Sequence, residues 1–227
     1  MHTDTQYFID RHDAGRMLAE ALVGKALDNP IVLALPRGGV PVAFEVARAL
    51  GAEMDLLIVR KIGAPNAPEY GIGAVVGGAH PQVVLNQDAM DSVRPSPDYV
   101  WAETDRQFAE VERRREAYLG QRPPAELAGR TVIVIDDGVA TGGSAKAALL
   151  GIRQSGAARI IFAVPVGPSD KIDELAQYAD EVLCLYAPKH FQAVGLHYAD
   201  FSQTTDEQVK HLLETARPTS AKTPPPL

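Results

Sequence analysis

Two adjacent carboxylates, Asp136 and Asp137, follow directly on four branched apolar residues at 132–135 in the stretch TVIVIDDGVATGGSAK. A short branched run bounded by turn residues predicts a fully buried strand, as in a parallel sheet. Two carboxylates at such a strand's end repel each other and lose hydration, so they need hydrogen-bond donors or a cation. Small residues from Gly138 to Gly143 then lead into Ser144 and an Ala-rich helical pattern. Glycines ahead of a helix let backbone N–H groups close around an anion, and the helix N-terminus adds partial positive charge. One strand end therefore offers two negative charges beside a phosphate-sized cradle. A sugar bearing neighbouring hydroxyls and a phosphate satisfies both halves. The plainer alternative is one helix-capping Asp and one solvated Asp.

Two other turns carry cations. Pro36-Arg37-Gly38-Gly39 follows a short apolar run at 31–35 and precedes a helical pattern at 40–50. Arg37 can present a guanidinium to a phosphate while the glycines expose backbone N–H groups; a plain strand-to-helix turn is the alternative. Arg60-Lys61 ends a predicted strand at 55–59 and precedes IGAPNAPEYGIGAV, whose prolines and glycines predict a loop. The alternative there is a solvated charge pair.

The elements that must hold these residues alternate. Helical spacing predicts an amphipathic helix at 10–27, capped by Asp10 or Asp13. Strands follow at 71–76 and 82–85, joined through Gly77-Gly78, with Asn86 capping a short helix. A long charged helix covers 98–119, with Trp101, Phe108, Val111 and Tyr118 facing the body and Arg113-Arg114-Arg115 on a solvated face beside Glu110, Glu112 and Glu116. Helices at 145–154 and 169–178 alternate with strands at 159–164 and 181–186. This pattern predicts an α/β fold, a doubly wound parallel sheet with covered faces. Ligands on such sheets collect beyond the carboxyl ends of the strands. The turns at Arg37, Arg60 and Asp136 all fall at predicted carboxyl ends. Thr204 and Glu207 predict a capping box for a last helix, and 217–227 reads as a disordered tail.

The stretch 132–144 resembles the phosphoribosyl-pyrophosphate (PRPP) motif of the type I phosphoribosyltransferases: four apolar residues, two acidic ones, then a small-residue loop with Thr-Gly-Gly. The resemblance implies that Asp136 and Asp137 hold the ribose 2′- and 3′-hydroxyls. It implies that Ala140, Thr141, Gly142, Gly143 and Ser144 surround the 5′-phosphate. It also implies that Arg37, Gly38 and Gly39 bind pyrophosphate, with a cis peptide between Arg37 and Gly38. Arg60 and Lys61 are similar to the Arg-Lys pair of orotate phosphoribosyltransferases, which implies pyrophosphate contacts and a loop at 64–70 closing over the site. The C-terminal segment PKHFQAVGLHYADF is similar to the hood of hypoxanthine-guanine enzymes, which implies base stacking by Phe191 and a backbone contact at Val194. Where those enzymes carry Gly-Leu-Asp-Tyr, this chain has Gly195-Leu196-His197-Tyr198.

The resemblance implies a Mg²⁺-dependent transfer of 5-phosphoribosyl from PRPP to a nitrogenous acceptor, with Asp136, Asp137, Arg60 and Lys61 carrying catalysis. The metal would reach Asp136 and Asp137 through ribose hydroxyls and waters. The family often forms homodimers. Other readings are a PRPP- or nucleotide-sensing regulator and a phosphorylated-sugar hydrolase. The expected layout is one domain over 1–214, with a core at 31–186, a helical insertion at 97–122 and a C-terminal hood at 187–204, then a tail at 215–227.

The composition bounds the setting. In 227 residues, 46% are hydrophobic, which is ample for a core. A net charge of −7 argues against general nucleic-acid binding. No apolar run reaches membrane-spanning length, and the N-terminus MHTDTQYFIDRHD is no secretory signal. The lone Cys184 sits in an apolar run and reads as a core thiol. A cytoplasmic setting is expected. His190, His197 and Asp200 fit no standard structural zinc spacing.

Overall fold

The computed structural model describes residues 8–216; the tail expected at 217–227 lies outside them. Helix α1 (Arg11–Leu22) starts at Asp10, whose carboxylate accepts a hydrogen bond from the Asp13 amide. Then come β1 (Ile31–Ala34), α2 (Gly39–Leu50), β2 (Glu53–Leu56), β3 (Val59–Ala64), β4 (Ala67–Val76) and β5 (Gln82–Leu85). Helices α3 (Gln87–Val93) and α4 (Pro97–Leu119) precede β6 (Thr131–Ile135), α5 (Gly143–Gln154) and β7 (Arg159–Val166). The chain closes with α6 (Ser169–Leu175), β8 (Glu181–Tyr186), a turn of 3₁₀ helix at Val194–His197, and α7 (Asp206–Thr215).

The main sheet is parallel, ordered β2-β1-β6-β7-β8. Every residue of β1 and β6 is buried, as a strand covered on both faces requires. Alternate side chains divide between two cores. Val32, Ala34, Ile133 and Ile135 pack with α1 and α2; Ile31, Leu33, Val132 and Val134 pack with α5. The expected doubly wound α/β architecture is present.

The chain turns differently after β2. Leu57 still donates its amide to Ala34, but the strand expected through Val59 stops at Leu56. Val59 opens a second, antiparallel sheet ordered β3-β4-β5. Arg60 and Lys61 therefore lie inside β3, not at the carboxyl end of a parallel strand. The loop expected at 64–70 is a hairpin turning at Pro65-Asn66, and Asn66 takes φ 61°. Ile62 and Ala64 are buried, and the Tyr99 hydroxyl donates to the Gly63 carbonyl, so burial and backbone pairing turn this segment into sheet. The sheet lies on α5: a Cβ on Gly151 would fall 2.9 Å from Val76.

Other boundaries hold or shift by physical detail. The β4–β5 hairpin and the Asn86 cap of α3 are as expected. On α4, Val111 is buried and Phe108 and Tyr118 pack against the core, but Trp101 is 71% exposed. Arg113 and Arg114 pair with Glu110 on the surface, whereas Arg115 turns inward. Arg115 is 5% exposed; its guanidinium meets Asp55 at 3.3 Å and also donates to the Arg122 carbonyl. The capping box of α7 uses Thr205 and Gln208, one residue later than predicted, because Thr204 is buried. Cys184 is half-buried and donates to the Tyr186 carbonyl; burial raises its thiol pKa to about 11.

Candidate functional site

Strand order reverses between β1 and β6. From β1 the chain winds through α2 to β2 on one side, and from β6 through α5 to β7 on the other. Such a switch point opens a crevice beyond the carboxyl ends of the two strands. The paired carboxylates and both Gly turns sit there. A Cβ on Gly38 would fall 2.0 Å from Asp137 Oδ2, and one on Gly39 2.7 Å from the Ile135 carbonyl. Only glycine permits that approach. The cis peptide is Pro36–Arg37, one residue before the expected Arg37–Gly38 bond; Gly38 is already in helical conformation at φ −60°, ψ −36°.

The two carboxylates are held differently. Asp136 Oδ1 accepts from the Asp137 amide at 2.9 Å. Burial, and then the neighbouring Asp137 charge, push the Asp136 carboxyl well above the usual range. Asp137 Oδ2 accepts from Arg11 Nε at 2.8 Å, and the Asp137 carbonyl accepts from the Tyr198 hydroxyl at 2.6 Å. Among the described residues, no donor reaches Asp136 Oδ2 or Asp137 Oδ1. Each carboxylate thus has one oxygen anchored by an N–H donor, and the two carboxyls lie within hydrogen-bonding reach of each other.

Beside them, Ala140, Thr141, Gly143 and Ser144 line the turn, with Ala140 and Thr141 exposed. Gly142 takes φ 77° as the N-cap of α5, and no side chain caps that helix. Its first amides remain available to an anion. The N-terminus of α2, at Gly38 and Gly39, also lacks a side-chain cap, but its Gly39 and Val40 amides donate to the Leu35 and Arg37 carbonyls.

The predicted cations point elsewhere. Arg37 Nη1 lies 3.3 Å from Asp206, which also accepts from the Tyr118 hydroxyl. Arg60 Nε donates to Gln107 on α4. Lys61 Nζ donates to the Glu69 carbonyl and carboxylate within its own hairpin. Phe191 stacks on His197, with ring centroids 5.6 Å apart at 13°. His197 is 6% exposed, its Nδ1 has no partner among the described residues, and burial lowers its pKa. Val194 seats on Gly138, where an added Cβ would fall 2.5 Å from its side chain.

Arg11 has no place in the sequence reading, because nothing local marks it; its partner is 126 residues away. Tyr198 is 5% exposed, packs on Phe8 and clamps the carboxylate turn; Phe201 lies under the Arg11 guanidinium at 3.9 Å. A cavity of about 350 Å³ is lined by Arg11 together with His12, Pro41, Thr204 and His211.

A family model described as a phosphoribosyl transferase domain matches residues 9–200. Proteins from two strains of Mycobacterium tuberculosis, provisionally named phosphoribosyl transferases, are 45% identical over 209 residues, covering 92% of this chain and 47% of theirs. The chain thus spans about half the length of the curated relatives it matches. The crystal structure of TT1426 from Thermus thermophilus is also 45% identical, with a TM-score of 0.80, covering 92% of this chain and 98% of that one. With the motif at the switch point and a family match across most of its length, this chain belongs to the phosphoribosyl transferase domain family.

Proposed function

We propose that this protein transfers 5-phosphoribosyl from PRPP to a nitrogenous acceptor, with Mg²⁺ and with release of pyrophosphate. The supporting observation is the crevice between β1 and β6, where two half-anchored carboxylates meet two uncapped helix N-termini. In this reading, Asp136 Oδ2 and Asp137 Oδ1 accept from the ribose 2′- and 3′-hydroxyls. The amides of Ala140, Thr141, Gly142, Gly143 and Ser144 hold the 5′-phosphate. The Gly38 amide lies against the pyrophosphate, and Gly39, whose own amide donates to the Leu35 carbonyl, leaves the backbone room to approach; the charge on the pyrophosphate grows as the bond to C1 breaks and the acceptor nitrogen bonds to C1.

Among the described residues no group of three or more His, Cys, Asp or Glu side chains is arranged to hold a metal ion. Two carboxylates alone suit a cation that the ligand largely carries, so Mg²⁺ fits as a companion of PRPP held near Asp136 and Asp137 through hydroxyls and waters. Bound there, it supplies charge neutralisation to the leaving pyrophosphate. Arg37, Arg60 and Lys61 join that role by exchanging Asp206, Gln107 and Glu69 for phosphate oxygens. The hairpin at 64–70 closes over the site, and Phe191 presents its free face to the acceptor, with Val194 offering backbone contact. We assign the protein to the cytoplasm, as a homodimer that binds neither nucleic acid nor membrane; no helix among the described residues is long and apolar enough to cross one.

A second reading follows from those same pairings. Three cations already satisfied by protein partners suit a regulator that senses PRPP without turning it over. An assay of pyrophosphate release from PRPP and Mg²⁺, with and without a panel of bases, separates the two. Base-dependent release supports transfer, base-independent release indicates hydrolysis, and binding without release indicates a sensor. Asp137→Asn is expected to cut kcat/KM by roughly tenfold or more, since it weakens a charge-assisted hydrogen bond. Unchanged kinetics would remove Asp137 from the site.

A further inference from the structure

The Arg11 side chain reaches from the first turn of α1 into the crevice and is only 11% exposed. It is fixed on three sides. Nε donates to Asp137 Oδ2 at 2.8 Å, Nη1 donates to the Ser202 carbonyl at 2.7 Å, and the guanidinium plane lies 3.9 Å from the Phe201 ring centroid. A planar, permanently charged fork serves all three contacts at once; an ammonium does not. The oxygen Arg11 takes is the one nearest Gly38, where the backbone already crowds the carboxylate. Arg11 does not occupy the other oxygen, Oδ1.

We infer that Arg11 is a positioning residue of the PRPP site: it orients Asp137 so that Oδ1 meets a ribose hydroxyl. It acts through Asp137 without touching the sugar. This makes the N-terminal helix and the 198–202 segment parts of the binding apparatus, joined across the sheet end by one side chain. The Tyr198 hydroxyl, on the Asp137 carbonyl, fixes the same residue from its backbone. The opposite role, a guanidinium that occupies the carboxylate and must leave before the sugar enters, predicts the reverse effect of removing it.

The inference rests on the PRPP reading, and titration calorimetry with PRPP and Mg²⁺ keeps the two separable. The unaltered protein is expected to bind. Arg11→Ala is expected to bind at least about tenfold more weakly, a loss of one charge-assisted contact that orients the carboxylate. Guanidinium ion at tens of millimolar is expected to restore part of that affinity by filling the vacated space, an effect a general loss of structure would not show. Arg11→Lys keeps the charge but not the three contacts, and is expected to fall between the two; it serves if Arg11→Ala does not fold. Equal affinity in either variant, or tighter binding by Arg11→Ala, overturns the positioning role. No binding by the unaltered protein overturns the PRPP reading, and the inference with it.

Discussion

Asp136 sits where the fold disfavours its charge. Burial first, and Asp137 second, push its carboxyl well above the ordinary carboxylate range. A group whose folded pKa exceeds its unfolded value keeps a proton in the folded state that the unfolded chain has lost. Its effect on stability is therefore unfavourable, and it sets in as pH rises from the unfolded value of about 4 through the raised one. Asp136→Asn removes that titration and keeps a carbonyl oxygen for the Asp137 amide. We expect the variant to melt a few degrees higher near neutral pH, with the gain vanishing toward about pH 4, while PRPP binding is lost. Melting curves at both pH values check this; no gain, or the same gain at each, contradicts it. Residue types and spacing made the carboxylate pair and the glycine turns legible in the sequence. Arg11 was not legible, since a lone Arg at a helix start looks like any solvated cation until the sheet end brings Asp137 to it.

At the scale of elements, the strands buried on both faces were readable because their apolar runs admit no other use. The β3–β4 hairpin was not. Its Arg, Lys, Pro and Gly residues resemble a loop, and only burial of Ile62 and Ala64 makes it sheet. The inward turn of Arg115 was hidden in the same way, inside a run of three arginines on a charged helix. Asp55, 2% exposed, accepts from Arg115, from the Leu56 amide and from the Ala125 amide. It ties α4 and the chain leading into β6 to the edge strand β2. Asp55→Ala leaves the Arg115 charge buried without its partner and is expected to cost about 3–5 kcal/mol. Urea unfolding measures it; a loss below about 1 kcal/mol would mean that Arg115 reaches water and finds other acceptors.

Over the whole molecule, function follows from where the winding reverses. The sheet order β2-β1-β6-β7-β8 sends α2 and α5 away from one crevice in opposite directions, yet starts both helices at it. The alternation of strands and helices foretold a parallel sheet, and the order of its strands brings the 36–39 and 136–144 turns side by side. A crystal structure of the protein with PRPP and Mg²⁺ tests the central claim most directly. The expected result places the ribose hydroxyls within hydrogen-bond reach of Asp136 Oδ2 and Asp137 Oδ1, with the 5′-phosphate on the amides of residues 140–144. A ribose bound outside the crevice between β1 and β6 would contradict it.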